Sequence, residues 1–244
     1  MSLEPNDRYG ARADSMNSAD AHAAGIDVGL RKYMLQVYNY MASGLALTGI
    51  VAYMTASSDV MVNAIFGSPL KWVVFLAPLG LVFFLSARLQ HMKASTAQMV
   101  FWVFSVLMGL SMASIFLQFT GTSIARVFFI TAGTFAAMSL YGYTTKRDLS
   151  GFGSFLMMGL IGIIIAMVVN IFLKSTAMAF VISVVGVLIF VGLTAYDTQK
   201  IKAMYMEADD SETYTKKAIN GAMNLYLDFI NLFIMMLHLF GDRR

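Results

Sequence analysis

Long uncharged stretches separated by short polar ones organise this chain. No Asp, Glu, Lys or Arg occurs from Tyr33 to Ser58, Trp72 to Ala87, Ala94 to Ala125, Val127 to Thr145, Leu149 to Leu173 or Ser175 to Tyr196. A seventh block, Ala218 to Gly241, is broken only by Asp228. A bilayer-crossing helix needs about 17–25 mostly apolar residues, so each block holds one. The pattern predicts spans near 34–55, 71–89, 98–118, 124–143, 152–173, 177–197 and 219–240. The connections agree. Gln118-Phe119-Thr120-Gly121-Thr122-Ser123 offers a glycine break and then hydroxyls able to cap a helix. Tyr143 to Asp148 is a short polar turn. Residues 1–32 are polar, of mixed charge, and lack the apolar stretch of a secretory signal. They read as a flexible cytoplasmic tail ahead of a single seven-helix domain at 33–244.

Composition sharpens this picture. The chain is 58% hydrophobic and 13% charged, against roughly 25% charged in soluble domains. That apolar excess must face lipid. With no cysteine, disulfides, thiolate metal sites and cysteine nucleophiles are excluded. A net charge of +3 without a basic run gives no footprint for nucleic acid. Orientation follows from the placement of Lys and Arg. With the N-terminus inside, 12 of the 17 basic residues fall on the inner side and 5 on the outer. If the last block were re-entrant, Arg243 and Arg244 would move inside and the division would be 14 to 3. The block is long enough to span, and seven spans are expected.

An ionisable group in hydrocarbon is costly and therefore a functional candidate. Only Asp228 lies well inside a span. Asn220, Asn224, Asp228, Asn231 and His238 recur at helical spacing on one face of the last helix. Such a stripe faces protein or a wet cavity rather than lipid. Asparagines alone would serve as hydrogen-bonding glue between helices; an acid among them points to function. A second acid, Asp197, closes the sixth helix in Ala195-Tyr196-Asp197-Thr198-Gln199. It could meet Asp228, provided that tilt or a late start of the last span draws it inward. Arg88, near the inner end of the second helix, is either a snorkelling interfacial arginine or a counter-ion for these acids.

The Ala195–Gln199 motif, together with Leu225-Tyr226-Leu227-Asp228-Phe229-Ile230-Asn231-Leu232-Phe233, resembles the Bax inhibitor family, also called the transmembrane Bax inhibitor motif family, whose bacterial members include the YetJ and YccA types. The likeness covers about residues 30–240. It implies an all-α integral membrane protein in which six helices surround a central seventh, residing in the bacterial inner membrane. It implies a pH-sensitive calcium leak, in which Asp197 and Asp228 form a proton-sharing pair and touch the permeant ion transiently. An arginine of the second helix latches onto the first aspartate in such relatives, and Arg88 is the match. The glutamate those relatives carry in the second helix has no counterpart, since no acid lies between Val60 and Leu140.

No cofactor is expected, and the partners are the bilayer and calcium ions. Two other functions compete. One is a regulator without transport, docking on a membrane-bound ATP-dependent protease through the tail or the Met204–Lys217 loop. The other is an intramembrane aspartyl protease, which also pairs two aspartates. The Gly-x-Gly-Asp motif of that class is replaced here by Leu225-Tyr226-Leu227-Asp228. A rhomboid-type serine protease would need a serine opposite His238, and none fits. A retinal receptor would need a lysine in the last span. The expectation is therefore not an enzyme.

Overall fold

The computed structural model describes residues 5–244, with side chains from Val28 onward. The tail expected over 1–32 falls largely outside the residues whose side chains are described. Eight α-helices follow one another: α1 (Pro5–Ala56), α2 (Asp59–Phe66), α3 (Leu70–Arg88), α4 (Ala94–Gln118), α5 (Gly121–Thr144), α6 (Ser150–Leu173), α7 (Thr176–Ala203) and α8 (Ser211–Phe240). A single 3-10 turn, Leu89–His91, extends α3. Among the described residues, six helices (α3 to α8) are long and apolar enough to cross a bilayer. Val28–Ala56 meets that measure together with α2, from which it is bent by 97°, so the spans number up to seven.

Each boundary has a local cause. The Ser57 hydroxyl donates to the Tyr53 carbonyl as α1 ends, and Ser58 then caps α2 by accepting from the Met61 amide. Thr120 caps α5 by accepting from the Ser123 amide, so the capping hydroxyl stands before Gly121, whereas the sequence pattern predicts one after it. Between α6 and α7, Lys174 takes a left-handed conformation (φ 50°), after which Ser175 caps α7. Asp210 caps α8, its carboxylate accepting from the Glu212 and Thr213 amides.

The last helix is the centre. It packs against α1, α4, α5 and α7, while α3 rests mainly on α4 and α6 on α7. Its residues Ile219, Ala222, Leu225, Tyr226 and Leu232 are wholly buried. By contrast, α6 turns Phe155, Met158, Ile161, Ile165 and Phe172 outward, as a helix bordering lipid does. Tyr226 anchors the middle. Its hydroxyl lies 2.7 Å from Thr48 Oγ1, Thr48 donates onward to the Ser105 carbonyl, and its ring meets Phe101 and Phe104 edge-on.

At the far end from the α7–α8 loop, the last residues fold back over the α4–α5 turn. Arg126 donates to the Asp242 carboxylate at 2.9 Å and to the Phe240 carbonyl. The Asp242 amide donates to Ser123 Oγ, and the Arg244 amide to the Gln118 carbonyl. α8 therefore runs unbroken over Ser211–Phe240 and is long and apolar enough to span.

Candidate functional site: an aspartate pair between α7 and α8

Two helix ends decide whether the aspartates can meet. α7 continues to Ala203 and α8 begins at Ser211, so both extend beyond the uncharged blocks that marked the spans. Ile201 lies against Gly221 and Met235 against Gly186. This antiparallel register sets Asp197 within about one helical turn of Asp228. The two carboxyl groups are close enough to act on each other electrostatically. The depth mismatch foreseen from the sequence is thus removed by the extra turns of helix.

Asp228 is 6% exposed, whereas Asn220, Asn224 and Asn231 on the same stripe are half-buried. The helical wheel explains this. At about 100° per residue, the three asparagines fall within about 40° of one another, and Asp228 stands rotated a further 40° or so toward α7. The stripe itself occupies the flank of α8 that its neighbours cover least. Asn231 Nδ2 donates to the Leu227 carbonyl of its own helix. Among the described residues, no N–H or O–H donates to Asp228 Oδ2. A buried carboxyl oxygen without a donor is costly as an anion, and a proton held between the two acids removes that cost.

The run Tyr196-Asp197-Thr198-Gln199 serves four neighbours because successive helical residues point about 100° apart. Tyr196 lies against Gly153 of α6, with Lys200 Nζ 5.9 Å from its ring centre. Asp197 faces Asp228. Thr198 joins a hydroxyl chain: its hydrogen goes to the Thr194 carbonyl. Ser139 Oγ, 2.9 Å away, must then donate to Thr198. Tyr38, 2.6 Å from Ser139, in turn donates to that serine. Gln199 clamps the α5–α6 turn, accepting from the Leu149 amide and donating to the Arg147 carbonyl, both at 2.8 Å.

The other expected residues stand apart from the pair. Arg88 is exposed at the end of α3 and makes no ion pair with the described residues, so the structure does not bring it to Asp197. The cation acting on Asp197 is Lys200, one turn further along α7. What ties the end of α3 to α8 is Lys216, whose Nζ reaches the Gln90 carbonyl at 3.5 Å. His238 is exposed, its ring 6.1 Å from that of Phe119, and lies about 15 Å along the helix from Asp228. Sequence reasoning missed Lys200, Thr198, Ser139 and Tyr38. Hydroxyls in otherwise apolar spans were the available signal, though nothing in the sequence said which of them meet. Among the described residues, no group of three or more His, Asp or Glu side chains could hold a metal ion.

Comparison with known proteins bears on this arrangement. Residues 30–244 match the family model described as inhibitor of apoptosis-promoting Bax1. The chain belongs to the Bax inhibitor family. Similar chains support the assignment. The inner membrane protein YbhL of Escherichia coli is 50% identical over 219 residues, covering 88% of this chain and 94% of that protein. An uncharacterised protein of Rickettsia prowazekii is 49% identical over 218 residues, covering 89% and 92%. An uncharacterised membrane protein of Streptococcus pyogenes is 34% identical over 218 residues, covering 88% and 94%. This Bax inhibitor family member is a multi-pass membrane protein, with its aspartate pair where the two motifs meet.

Proposed function

We propose that the protein is a proton-controlled cation leak of the inner membrane, with calcium as the permeant ion and the N-terminus on the cytoplasmic side. The observation that carries this reading is the contact of two carboxyl groups inside a bundle that lipid surrounds. Two acids this close cannot both ionise cheaply, so the contact depends on a shared proton. Losing that proton sets two like charges face to face and drives α7 and α8 apart locally, unless a cation intervenes. Calcium suits such a site only in passing, because it takes 6–8 oxygen ligands and two carboxylates supply four at most.

Arg88 enters as the latch. An ionised Asp197 would draw the guanidinium from the end of α3. At an effective dielectric near 20 and about 4 Å, the attraction is about 4 kcal/mol before desolvation. A bias of 1–3 kcal/mol is enough to change an open-to-closed ratio about 5–150-fold. The half-buried asparagine stripe of α8 is the path such a latch would close. With the pair close together and Arg88 away from it, the arrangement described above is the unlatched one. Acidification restores the shared proton, removes the attraction on Arg88 and raises the leak.

Reconstitution into liposomes loaded with a calcium dye tests this. Entry should rise as pH falls from about 8 to about 5. Arg88→Ala should leak at neutral pH with little further response to acid, and Asp197→Asn should behave alike. Calcium entry no greater than in empty liposomes across that range would remove the channel reading. A full pH response in the Arg88 variant would remove the latch alone, and Lys200→Gln would then be the next variant to measure.

A further inference from the structure

A large cavity in the described residues lies away from the aspartates. It is a groove of about 1010 Å³ between α1 and α5, opening sideways toward lipid. Its walls are Ala42, Ala46 and Gly49 on α1 and Ala132 and Ala136 on α5, and Phe229 of α8 forms its floor. Small residues at such spacing ordinarily let two helices pack backbone to backbone. Here α1 and α5 are not among the helix pairs that pack extensively, and the space between them stays open.

The dimensions decide what fits. The groove follows α5 from Phe128 to Tyr143, about 22 Å at 1.5 Å per residue. Spread over that length, the volume gives a mean cross-section of about 45 Å². A hydrocarbon chain fits, and the length exceeds the ~15 Å depth of one leaflet.

One end of the groove carries charge. Arg31 lines it, is exposed, and makes no ion pair with any described residue. Nearby, Lys202 Nζ donates to the carbonyl of Tyr143 and lies 5.0 Å from its ring centre. The other lining residues are almost all apolar, except for Tyr38 and Ser139 of the hydroxyl chain. A cation at one end of a narrow apolar slot matches an amphiphile whose head is an anion.

We propose that this groove is a lipid site, holding an acyl chain of an anionic phospholipid with its phosphate at Arg31. The site does not depend on the leak. Tyr38, Ser139 and Thr198 run from the groove wall to the residue beside Asp197.

Native mass spectrometry of the full chain, titrated separately with phosphatidylglycerol and phosphatidylcholine, tests the proposal. The parent should retain phosphatidylglycerol with about fivefold preference, the effect of one basic side chain near an anionic head. Arg31→Gln should bring the two lipids level. Filling the slot with Ala46→Leu and Ala136→Leu should lower occupancy by both at least tenfold, with the melting temperature kept or raised. Equal occupancy in the filled and parent proteins would overturn the site. So would parent binding without preference between the two lipids. The chain lacks cysteine, which permits a third measurement that survives poor folding of the filled variant. Cysteines placed at Ala46 and Ala136 should stay uncrosslinked in phosphatidylglycerol nanodiscs. Ready disulfide formation there would mean that α1 closes on α5 with no lipid between them. Co-purification of a partner helix in the slot would equally refute the lipid.

Discussion

Gly142 offers the sharpest test of how the bundle holds the pair. A β-carbon built there would fall on the backbone carbonyl oxygen of Ala195 and within 2.9 Å of its carbonyl carbon and Cα. Backbone cannot rotate away as a side chain can, so Gly142→Ala must push α5 and α7 apart by about 1 Å. Ser139, one turn earlier on α5, is 2.9 Å from Thr198 Oγ1. A displacement of that size carries the two oxygens beyond hydrogen-bonding reach. Overpacking of this kind costs about 1–3 kcal/mol, and a lost hydroxyl bond about 0.5–1.5 kcal/mol. The sum is about 2–4 kcal/mol. At about 2–4 °C per kcal/mol for a chain of this size, melting in detergent should fall by about 5–15 °C. Gly133 provides the control on the same helix: nothing lies within 4 Å of its would-be β-carbon. Gly133→Ala should therefore be neutral or stabilising, since alanine is the better helix former by up to about 1 kcal/mol. Because Ala195 is two residues from Asp197, Gly142→Ala should also flatten the pH response of calcium entry. Equal melting temperatures for the two alanine variants would refute the reasoning.

Further expectations follow from other contacts. Gln199→Ala removes both bonds to the α5–α6 turn, so amide exchange at residues 145–150 should quicken several-fold while α8 stays protected; unchanged exchange would show that the turn holds itself. Infrared spectra of the parent should contain a protonated carboxyl band near neutral pH, and in Asp228→Asn, which removes the like charge, Asp197 should ionise at lower pH; a parent spectrum without that band would refute proton sharing. Hydrogen bonds from Thr213 hold the Asp210 carboxyl below its ordinary value of 3.8. Its capping contribution is therefore complete above that pH and lost as pH falls through the lowered value, so Asp210→Ala should cost more stability at pH 7 than in acid in circular-dichroism melts. Arg126 and Asp242 are 55% and 67% exposed. Arg126→Gln should thus lower stability by no more than about 1 kcal/mol, whereas deleting residues 241–244 should destabilise more; equal effects would place the whole contribution in the ion pair.

The uncharged blocks located the spans because hydrocarbon excludes charge, yet they misjudged where helices end. Asp197, Lys200 and Lys202 stop the apolar block but not α7, since a helix continues past the charges that end a lipid-facing stretch. The same holds for Ser211 to Lys217 at the start of α8. α2 was missed because its eight residues are too few to span and too apolar to mark a turn. The aspartate pair was legible, because helical spacing singled out Asp228 and the adjoining motif supplied Asp197. Arg88 shows the limit of that approach. Its position in sequence allowed an approach to Asp197, but packing of α3 against α4 rather than α7 leaves it outside, and only tertiary contacts determine that.

The helix at the middle of this bundle is made after the helices that pack around it. A ribosome completes α1 to α7 before α8 exists, so Phe101, Phe104, Phe135 and Gly186 wait without the surface they are shaped for. Assembly therefore cannot proceed outward from a finished core. The earlier spans must enter the membrane as a loose ring and close only when α8, Ser211–Phe240, arrives. A ribosome that stops before Ser211 leaves a set of walls around nothing.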